Sequence, residues 1–151
     1  MGVTDVVPSY ATVGVFYDPT AIGFPDVRAR ILTALDDAVQ AAATAAPGVT
    51  HTFRVRYDGE DLDEVARRTE LSTSEVIRIH SGREYRVYVI GFVPGFAYLG
   101  TLDERLALPR RSSPRKRVPP GSVAIADQQT AVYPSPTPGG WHILGTTRAT
   151  L

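Results

Sequence analysis

The residues of this chain that could do chemistry lie mostly in its C-terminal half. The segment 109–117 has five cationic side chains among nine residues and no acidic one. Guanidinium groups match the oxygens of a carboxylate or a phosphate in pairs, and the prolines within the segment stiffen it. Two interpretations are open. The segment is either a solvated basic loop, which is common on protein surfaces, or an anion site in which Arg115 and Arg117 bind the ligand.

A second candidate is the turn that contains Gly139 and Gly140. The adjacent backbone amides of a glycine pair can bind a carboxylate or a developing oxyanion, and the neighbouring His142 could transfer protons near neutral pH. The alternative is a β-turn followed by Trp141 packed over the core, which is the commoner arrangement for an isolated histidine. His80, at the predicted end of a helix, is expected to be a capping cation.

The stretch 91–99 combines glycines and a proline with three aromatic residues, Tyr98 among them. Glycine permits positive φ angles and lets a ligand or another chain approach the backbone closely. The stretch therefore forms either a tight barrel corner filled by aromatic side chains or the wall of a pocket. From the residues alone the corner is favoured.

Several functions are disfavoured by what the sequence lacks. It has no cysteine and three widely separated histidines, so we expect no metal site. No Walker A, Gly-x-Gly-x-x-Gly, His-Glu-x-x-His or Gly-x-Ser-x-Gly pattern is present, so no motif in the chain by itself binds a nucleotide. No apolar run could span a bilayer, and the first residues lack the pattern of a signal peptide, so we expect a cytoplasmic protein that does not bind membranes.

The charge of the chain is balanced overall but unevenly distributed. Sixteen basic and sixteen acidic residues cancel, which argues against a general nucleic-acid binder. Residues 1–75 contain twelve acids and six bases, whereas residues 76–151 contain four acids and ten bases. Opposite charges favour docking of the two halves on each other, or on two different partners.

The elements that must position these residues change in type along the chain. Strands are predicted over Val3–Val7 and Thr12–Tyr17, a helix with apolar residues at helical spacing over Asp26–Thr44, and an alternating strand over Thr52–Tyr57. This β-β-α-β order is that of a split βαβ, ferredoxin-like unit that lacks its first strand and helix.

Two short helices are predicted next, over 61–69 and from Ser72, where Ser72 and Glu75 fit a capping box. A strand over Tyr85–Phe92 follows, and then short β-prone pieces between Gly- and Pro-rich turns: Ser122–Ala126, Thr130–Tyr133 and Trp141–Gly145. This composition is typical of a loop-rich β-barrel or sandwich. The predicted class is α+β, with a partial N-terminal α/β domain at 1–58, a helical connector at 59–84 and a β-barrel or sandwich at 85–151.

The motif train resembles a known family. The run at 91–147, GFVPGFAYLGTLDERLALPRRSSPRKRVPPGSVAIADQQTAVYPSPTPGGWHILGTT, and the upstream run YDGEDLDEVARRTELSTSEVIRIHSGREYRVYVIGF are similar to the KipI family. That family is also called allophanate hydrolase subunit 1 or carboxyltransferase subdomain C, and it includes the B subunit of bacterial 5-oxoprolinase. The resemblance covers essentially the whole chain. It implies a small N-terminal α/β domain followed by a cyclophilin-like β-barrel.

The resemblance also implies partners and an activity. A KipA-like subunit (allophanate hydrolase subunit 2) and a LamB/YcsF-type subunit would complete an ATP-dependent 5-oxoprolinase, which opens the lactam of pyroglutamate, a small carboxylate. ATP is then expected in the complex, with no metal or biotin on this chain. The alternative is a KipI-type inhibitor that binds a sensor histidine kinase. Prolyl isomerase activity is suggested by the barrel alone, which is a weak argument because one fold hosts many functions.

Under the enzymatic interpretation the candidate residues take specific roles. Arg115 and Arg117 would hold the substrate's anion. The Gly139 and Gly140 amides and Gln129 would polarise the carbonyl. The remaining candidates are His142, as a proton-transfer group, and Tyr98, as a substrate-binding residue. The chain departs from the family in having Thr146 in place of a common arginine and Ala131 in place of glycine. The family also extends beyond both ends of this sequence, so both domains are expected to be partial.

Overall fold

The computed structural model describes residues 2–44 and 48–149. The chain divides into two compact units, Met1–His51 and Thr52–Leu151. The described residues contain both helices and antiparallel strands, which confirms the α+β class. None of the helices in these ranges combines the length and the apolar character that crossing a membrane requires.

The N-terminal unit consists of a hairpin and a long helix. Strand β1 (Val3–Pro8) pairs antiparallel with β2 (Val13–Tyr17), and helix α1 spans Phe24–Thr44. These three elements confirm the predicted ones. On α1 the apolar residue Val27 is buried, whereas Val39 is 65% exposed, so only the beginning of the predicted apolar stripe is covered.

Two helices and a short turn form one layer of the C-terminal unit. Helix α2 spans Leu62–Arg68, helix α3 spans Thr73–Ser81, and a single 3-10 turn spans Glu104–Leu106. The predicted capping box at the start of α3 is present: the Ser72 hydroxyl accepts from the Glu75 N–H, and the Glu75 carboxylate accepts from the Ser72 N–H. Local sequence therefore determines where α3 begins.

The strands of the C-terminal unit form two sheets. Their bounds are β3 Val55–Arg56, β4 Arg86–Ile90, β5 Ala97–Gly100, β6 Arg115–Val118, β7 Ser122–Ala126, β8 Gln129–Val132, β9 Thr137–Gly139 and β10 His142–Thr147. Six of them lie in the order β3-β10-β7-β8-β5-β4, and β6 pairs with β9 in a separate two-stranded sheet. These described strands do not close into a barrel.

The observed strands differ from the predicted ones in two ways. The predicted strand 52–57 is reduced to β3, which pairs with β10. Strands β5, β6 and β9 were not predicted; each lies in a Gly-, Pro- or Arg-rich stretch, where composition indicates loops. Long-range pairing overrides that local preference, because residues of β6 pair with residues of β9 that lie 19 to 24 positions later.

The six-stranded sheet separates two hydrophobic cores. Neighbouring residues on one strand belong to different cores, as Ala124 and Ile125 do on β7 and Ile143 and Leu144 do on β10. One core contains Val65 and further apolar residues of helices α2 and α3. The second core is rich in aromatic side chains. On β4, the outermost strand of the sheet, the apolar side chains of Val87 and Ile90 are 49% and 67% exposed.

Candidate functional site

A buried carboxylate organises the polar contacts of the C-terminal unit. Asp61 precedes α2 and is only 2% exposed. Its Oδ1 accepts hydrogen bonds from Arg111 Nη1 and Arg115 Nη2, both at 2.7 Å, and its Oδ2 accepts from the Ile143 N–H at 2.7 Å. The carboxylate does not cap its own helix. It instead joins the start of α2 to the basic segment and to β10.

Two further carboxylates surround this centre. Glu60 accepts from Arg115 Nε at 2.7 Å, and Glu64 lies 3.5 Å from Arg111 Nη1. Burial disfavours the charged form of Arg115, but the hydrogen bonds to Asp61 and Glu60 outweigh burial, so its pKa lies above the usual value. The three acids come from the acidic half of the chain and the two arginines from the basic half. Ion pairs thus join these acidic residues of the first half to basic residues of the second half within the C-terminal unit.

Backbone hydrogen bonds hold the same three segments together. The N–H groups of Gly59 and Asp61 donate to the carbonyls of Leu144 and Ile143, each at 3.1 Å. The Arg111 N–H donates to the Gly140 carbonyl at 2.7 Å. A Cβ on Gly59 would lie 2.3 Å from the Ile143 oxygen, so this close approach of backbones requires glycine.

The structure separates the predicted anion-binding arginines. Arg115 lies on β6 opposite Gly139 of β9, and its Nη1 donates to the Trp141 carbonyl at 3.4 Å. It is therefore near the predicted glycine turn, but its guanidinium is already paired with Asp61 and Glu60. Arg117, on the same strand, is exposed. The substrate-binding role of both arginines stays a prediction.

The two glycines of the predicted oxyanion turn differ in their surroundings. A Cβ on Gly139 would lie 2.3 Å from the Tyr133 hydroxyl, whereas a Cβ on Gly140 would make only ordinary contacts of 3.6 Å or more. Gly139 thus has a packing reason to be glycine. Their role in binding an oxyanion stays a prediction.

The two predicted catalytic residues occupy different environments. The His142 side chain is fully buried, and its Nε2–H donates to the Pro109 carbonyl at 3.0 Å. Nε2 is a donor because a carbonyl can only accept, and the buried Nδ1 has no hydrogen-bond partner within the described residues. Gln129 is half-buried at the first position of β8, paired with Ala126. The catalytic role of both residues stays a prediction.

Four aromatic side chains, hereafter the aromatic cluster, pack beside the glycine turn. Phe96 is at its centre, with edge-to-face ring contacts to Tyr98 at 4.8 Å, Tyr133 at 5.2 Å and Trp141 at 5.7 Å between centroids. Tyr98 is half-buried and also contacts Trp141, at 5.9 Å. Phe96 is 2% exposed, in agreement with the predicted corner filled by aromatic side chains.

Arg110 lies over this cluster. Its guanidinium carbon is 5.9 Å from the centroid of Trp141, within cation–π range. Burial raises the pKa of the Tyr133 hydroxyl, and the positive charge of Arg110 partly opposes that rise. Arg110 itself is exposed.

The prediction that His80 is a capping cation is wrong. His80 is 5% exposed, and burial lowers its pKa from 6.5 to about 4, so the ring is neutral at pH 7. Thr130 Oγ1 donates its only proton to the Ala124 carbonyl at 3.0 Å and so accepts from His80 Nε2–H at 2.9 Å. The Tyr57 hydroxyl then donates to Nδ1 at 2.7 Å. His80 is a neutral hydrogen-bonding link between α3 and β8.

Sequence reasoning missed Asp61 and Arg111, the residues around which the polar network forms. Asp61 was included only as the beginning of a predicted helix. The available signal was the acidic stretch 58–64 together with an acid-free basic segment of opposite charge. Within the described residues no group of three or more His, Cys, Asp and Glu side chains could hold a metal ion.

The sequence matches a known family over its full length. The family described as "Carboxyltransferase domain, subdomain C and D" matches residues 1–151. The chain is 41% identical to the B subunit of 5-oxoprolinase from Bacillus subtilis (strain 168) over 168 aligned positions, which cover 99% of the chain and 67% of that protein. It is 52% identical to the B subunit of 5-oxoprolinase from Escherichia coli O157:H7, over 62% of the chain and 43% of that protein. The chain thus spans about half to two thirds of the length of these relatives.

Solved structures show the same relationship. The crystal structure of TTHA0988 superposes with a TM-score of 0.70 at 43% identity, covering 99% of this chain and 28% of that one. The uncharacterized protein PH0987 from Pyrococcus horikoshii superposes with a TM-score of 0.63 at 41% identity, covering 97% of this chain and 67% of that one. These matches confirm the resemblance found in the motif train. The chain belongs to the family of carboxyltransferase domains, subdomain C and D, that contains the 5-oxoprolinase B subunits.

Proposed function

We propose that this chain acts as the B-type component of a heteromeric, ATP-dependent 5-oxoprolinase. The observation that carries the proposal is the identity of 41–52% to three proteins that are named as B subunits of 5-oxoprolinase. Since a protein named as one subunit works with others, these relatives support partners for this chain, which we propose to be a KipA-like and a LamB/YcsF-like protein. Allophanate is the alternative substrate for such an amide-hydrolysing complex.

The proposed reaction opens a cyclic amide. The ring C–N bond breaks, the oxygen of water is added to the carbonyl carbon, and the ring nitrogen takes up a proton, while ATP is hydrolysed to ADP and phosphate. On this chain we assign polarisation of the carbonyl to Gln129, which is half-buried and at a strand end. Because the chain has no Gly-rich phosphate-binding motif, we assign ATP to a different component of the complex.

The same proposal covers the finer architecture. We propose that the N-terminal unit is part of a ferredoxin-like domain and that the six-stranded sheet is part of a cyclophilin-like barrel. The sheet supports this because its strands are antiparallel and it ends at β4, where apolar side chains remain exposed. A partner or further strands would cover that edge.

Reconstitution tests the proposal. The chain is purified alone and together with the KipA-like and LamB/YcsF-like proteins from the same source, and glutamate formed from 5-oxoproline is measured with and without ATP. We expect turnover only in the complex and only with ATP. A complex that assembles but forms no glutamate, or a chain that forms it alone, contradicts the proposal.

A matched pair of variants tests the assignment of Gln129. Loss of one donor that polarises a carbonyl lowers kcat by about a hundredfold. We therefore expect that loss in the complex with Gln129→Ala and near wild-type turnover with Gln128→Ala, because the adjacent Gln128 is exposed. Equal turnover by both variants would remove Gln129 from the site and leave the assignment of the chain to the complex standing.

A further inference from the structure

The five cations of the basic segment are not equivalent. Arg111 and Arg115 form ion pairs with Asp61, Glu60 and Glu64. For Arg110, no carboxylate of the described residues lies within ion-pair distance. Any anion bound at Arg115 would have to compete with two carboxylates at 2.7 Å. The charge that remains available for a ligand is therefore that of Arg110, Lys116 and Arg117.

Of these three cations, Arg110 alone makes a ring contact within the described part of the chain. Its guanidinium lies over the Trp141 ring. The Tyr98 ring makes an edge-to-face contact with the same indole, at 5.9 Å between centroids. Trp141 directly follows the Gly139–Gly140 turn. The cation of Arg110, the rings of Trp141 and Tyr98, and the glycine turn thus lie next to one another.

Arg110 is held in place by its neighbours. The Arg111 N–H donates to the Gly140 carbonyl, and the Arg111 side chain is bound to buried Asp61. The backbone next to Arg110 is therefore fixed to the glycine turn and, through the Arg111 side chain, to the start of α2. A group fixed in this way loses less conformational freedom on binding a ligand.

We propose that Arg110, supported by Trp141 and beside Tyr98, binds the carboxylate of a small, flat-ringed acid. The guanidinium fork donates to two carboxylate oxygens. Trp141 is 4% exposed and supports Arg110 from below, whereas the half-buried ring of Tyr98 contacts the ring of the acid. The identity of that acid, 5-oxoproline, rests on the proposed function. Arg110 thereby takes the anion-binding role that the sequence suggested for Arg115 and Arg117.

The chain contains its own reporter for this site. Trp141 is its only tryptophan, and Arg110 lies on the indole, so a bound carboxylate should change the fluorescence of Trp141. The experiment titrates 5-oxoproline into the full chain and into the assembled complex while that emission is recorded. The amide of 5-oxoproline, which has the ring but no carboxylate, is the ligand control.

The expected result is a saturable change with the acid. A charge-assisted hydrogen bond contributes enough that Arg110→Ala should weaken binding by about tenfold or more, and the amide should bind the wild type about tenfold more weakly than the acid. Arg110→Lys, which keeps the charge but loses the fork, should fall between. Lys116→Ala, which removes an exposed cation of the same segment, should bind like the wild type.

The inference is overturned if Arg110→Ala binds the acid like the wild type, if the amide binds as well as the acid, or if neither the chain nor the complex responds. These outcomes are separate from those for the proposed function. Saturable binding that depends on Arg110, without turnover by the complex, would contradict the proposed function and support this binding site. Turnover that is unaffected by Arg110→Ala would support the proposed function and contradict this binding site.

Discussion

Asp61 and Ile143 hydrogen-bond to each other in both directions across 82 residues of sequence. The Asp61 N–H donates to the Ile143 carbonyl at 3.1 Å, and the Asp61 carboxylate accepts from the Ile143 N–H at 2.7 Å. Asp61 thereby pairs with β10 as a residue of a neighbouring antiparallel strand would, with its carboxylate in place of a backbone carbonyl. Its second oxygen remains free to bind Arg111 and Arg115.

Removal of this carboxylate should strongly destabilise the protein. Asp61→Ala leaves two guanidinium groups and one backbone N–H without their partner, and loss of one member of a buried ion pair costs about 3–5 kcal/mol. Urea unfolding monitored by circular dichroism measures the loss. Asp63→Ala removes an exposed carboxylate from the same helix and should change the free energy of unfolding by about 0.5 kcal/mol or less. Equal losses in the two variants would show that the network contributes little.

His80 should make the protein less stable in mild acid. Its pKa is about 4 in the folded protein, because of burial, and about 6.5 in the unfolded chain. Between these values the unfolded chain binds a proton that the folded protein does not. The free energy of unfolding therefore falls as the pH drops through this window, by about 3 kcal/mol in total, and His80 adds no pH dependence above it.

The measurement for His80 is the free energy of unfolding at several pH values from 7 to 4. His80→Gln removes the titrating group, so its stability should depend less on pH than that of the wild type. His51→Gln removes an exposed histidine and should leave the slope unchanged. Parallel curves for His80→Gln and the wild type would mean that His80 does not stay neutral in the folded protein.

Gly139 and Gly140 should respond differently to the same substitution. A Cβ at Gly139 meets the Tyr133 hydroxyl, whereas one at Gly140 meets only ordinary neighbours. We expect Gly139→Ala to cost about 1–3 kcal/mol through overpacking and Gly140→Ala to cost about 0.5 kcal/mol or less. Tyr133→Phe removes the clashing oxygen, so it should recover part of the loss when combined with Gly139→Ala. If the loss of unfolding free energy in the double variant equals the sum of the losses in the two single variants, this clash is excluded as the cause.

The capping box of α3 should contribute measurably to stability. Ser72→Ala removes the hydroxyl that accepts from the Glu75 N–H, and loss of such a cap costs about 1 kcal/mol. Thermal unfolding is a suitable readout. Ser113→Ala, at an exposed serine outside the helices, is the control. A midpoint for Ser72→Ala that coincides with that of Ser113→Ala would contradict the assigned role.

Local signals account for the parts of the fold that could be predicted. The apolar period of α1 and the Ser72–Glu75 pair at α3 depend on residues close in sequence, and both helices are present. The hairpin of β1 and β2 also follows from short alternating runs. Strands β6 and β9 could not be predicted in this way, because each is held by the other across the intervening strands β7 and β8.

The candidate site was predictable only in part for the same reason. The basic segment and the glycine turn are visible in the sequence, and Arg115 does pair with Gly139. Which of the arginines is neutralised depends on Asp61, 50 residues before Arg111 and 54 before Arg115. The prediction for His80 is wrong because the local sequence shows only that the residue lies at a helix end. Its burial against Thr130 depends on a residue 50 positions later.

The position of β4 has a consequence for the life of the protein in the cell. An outermost strand with apolar side chains toward water is a template for any extended chain, including a second copy. Newly made molecules would then associate with each other through this edge wherever nothing else covers it. A high concentration of the chain by itself would favour that association and lead to precipitation.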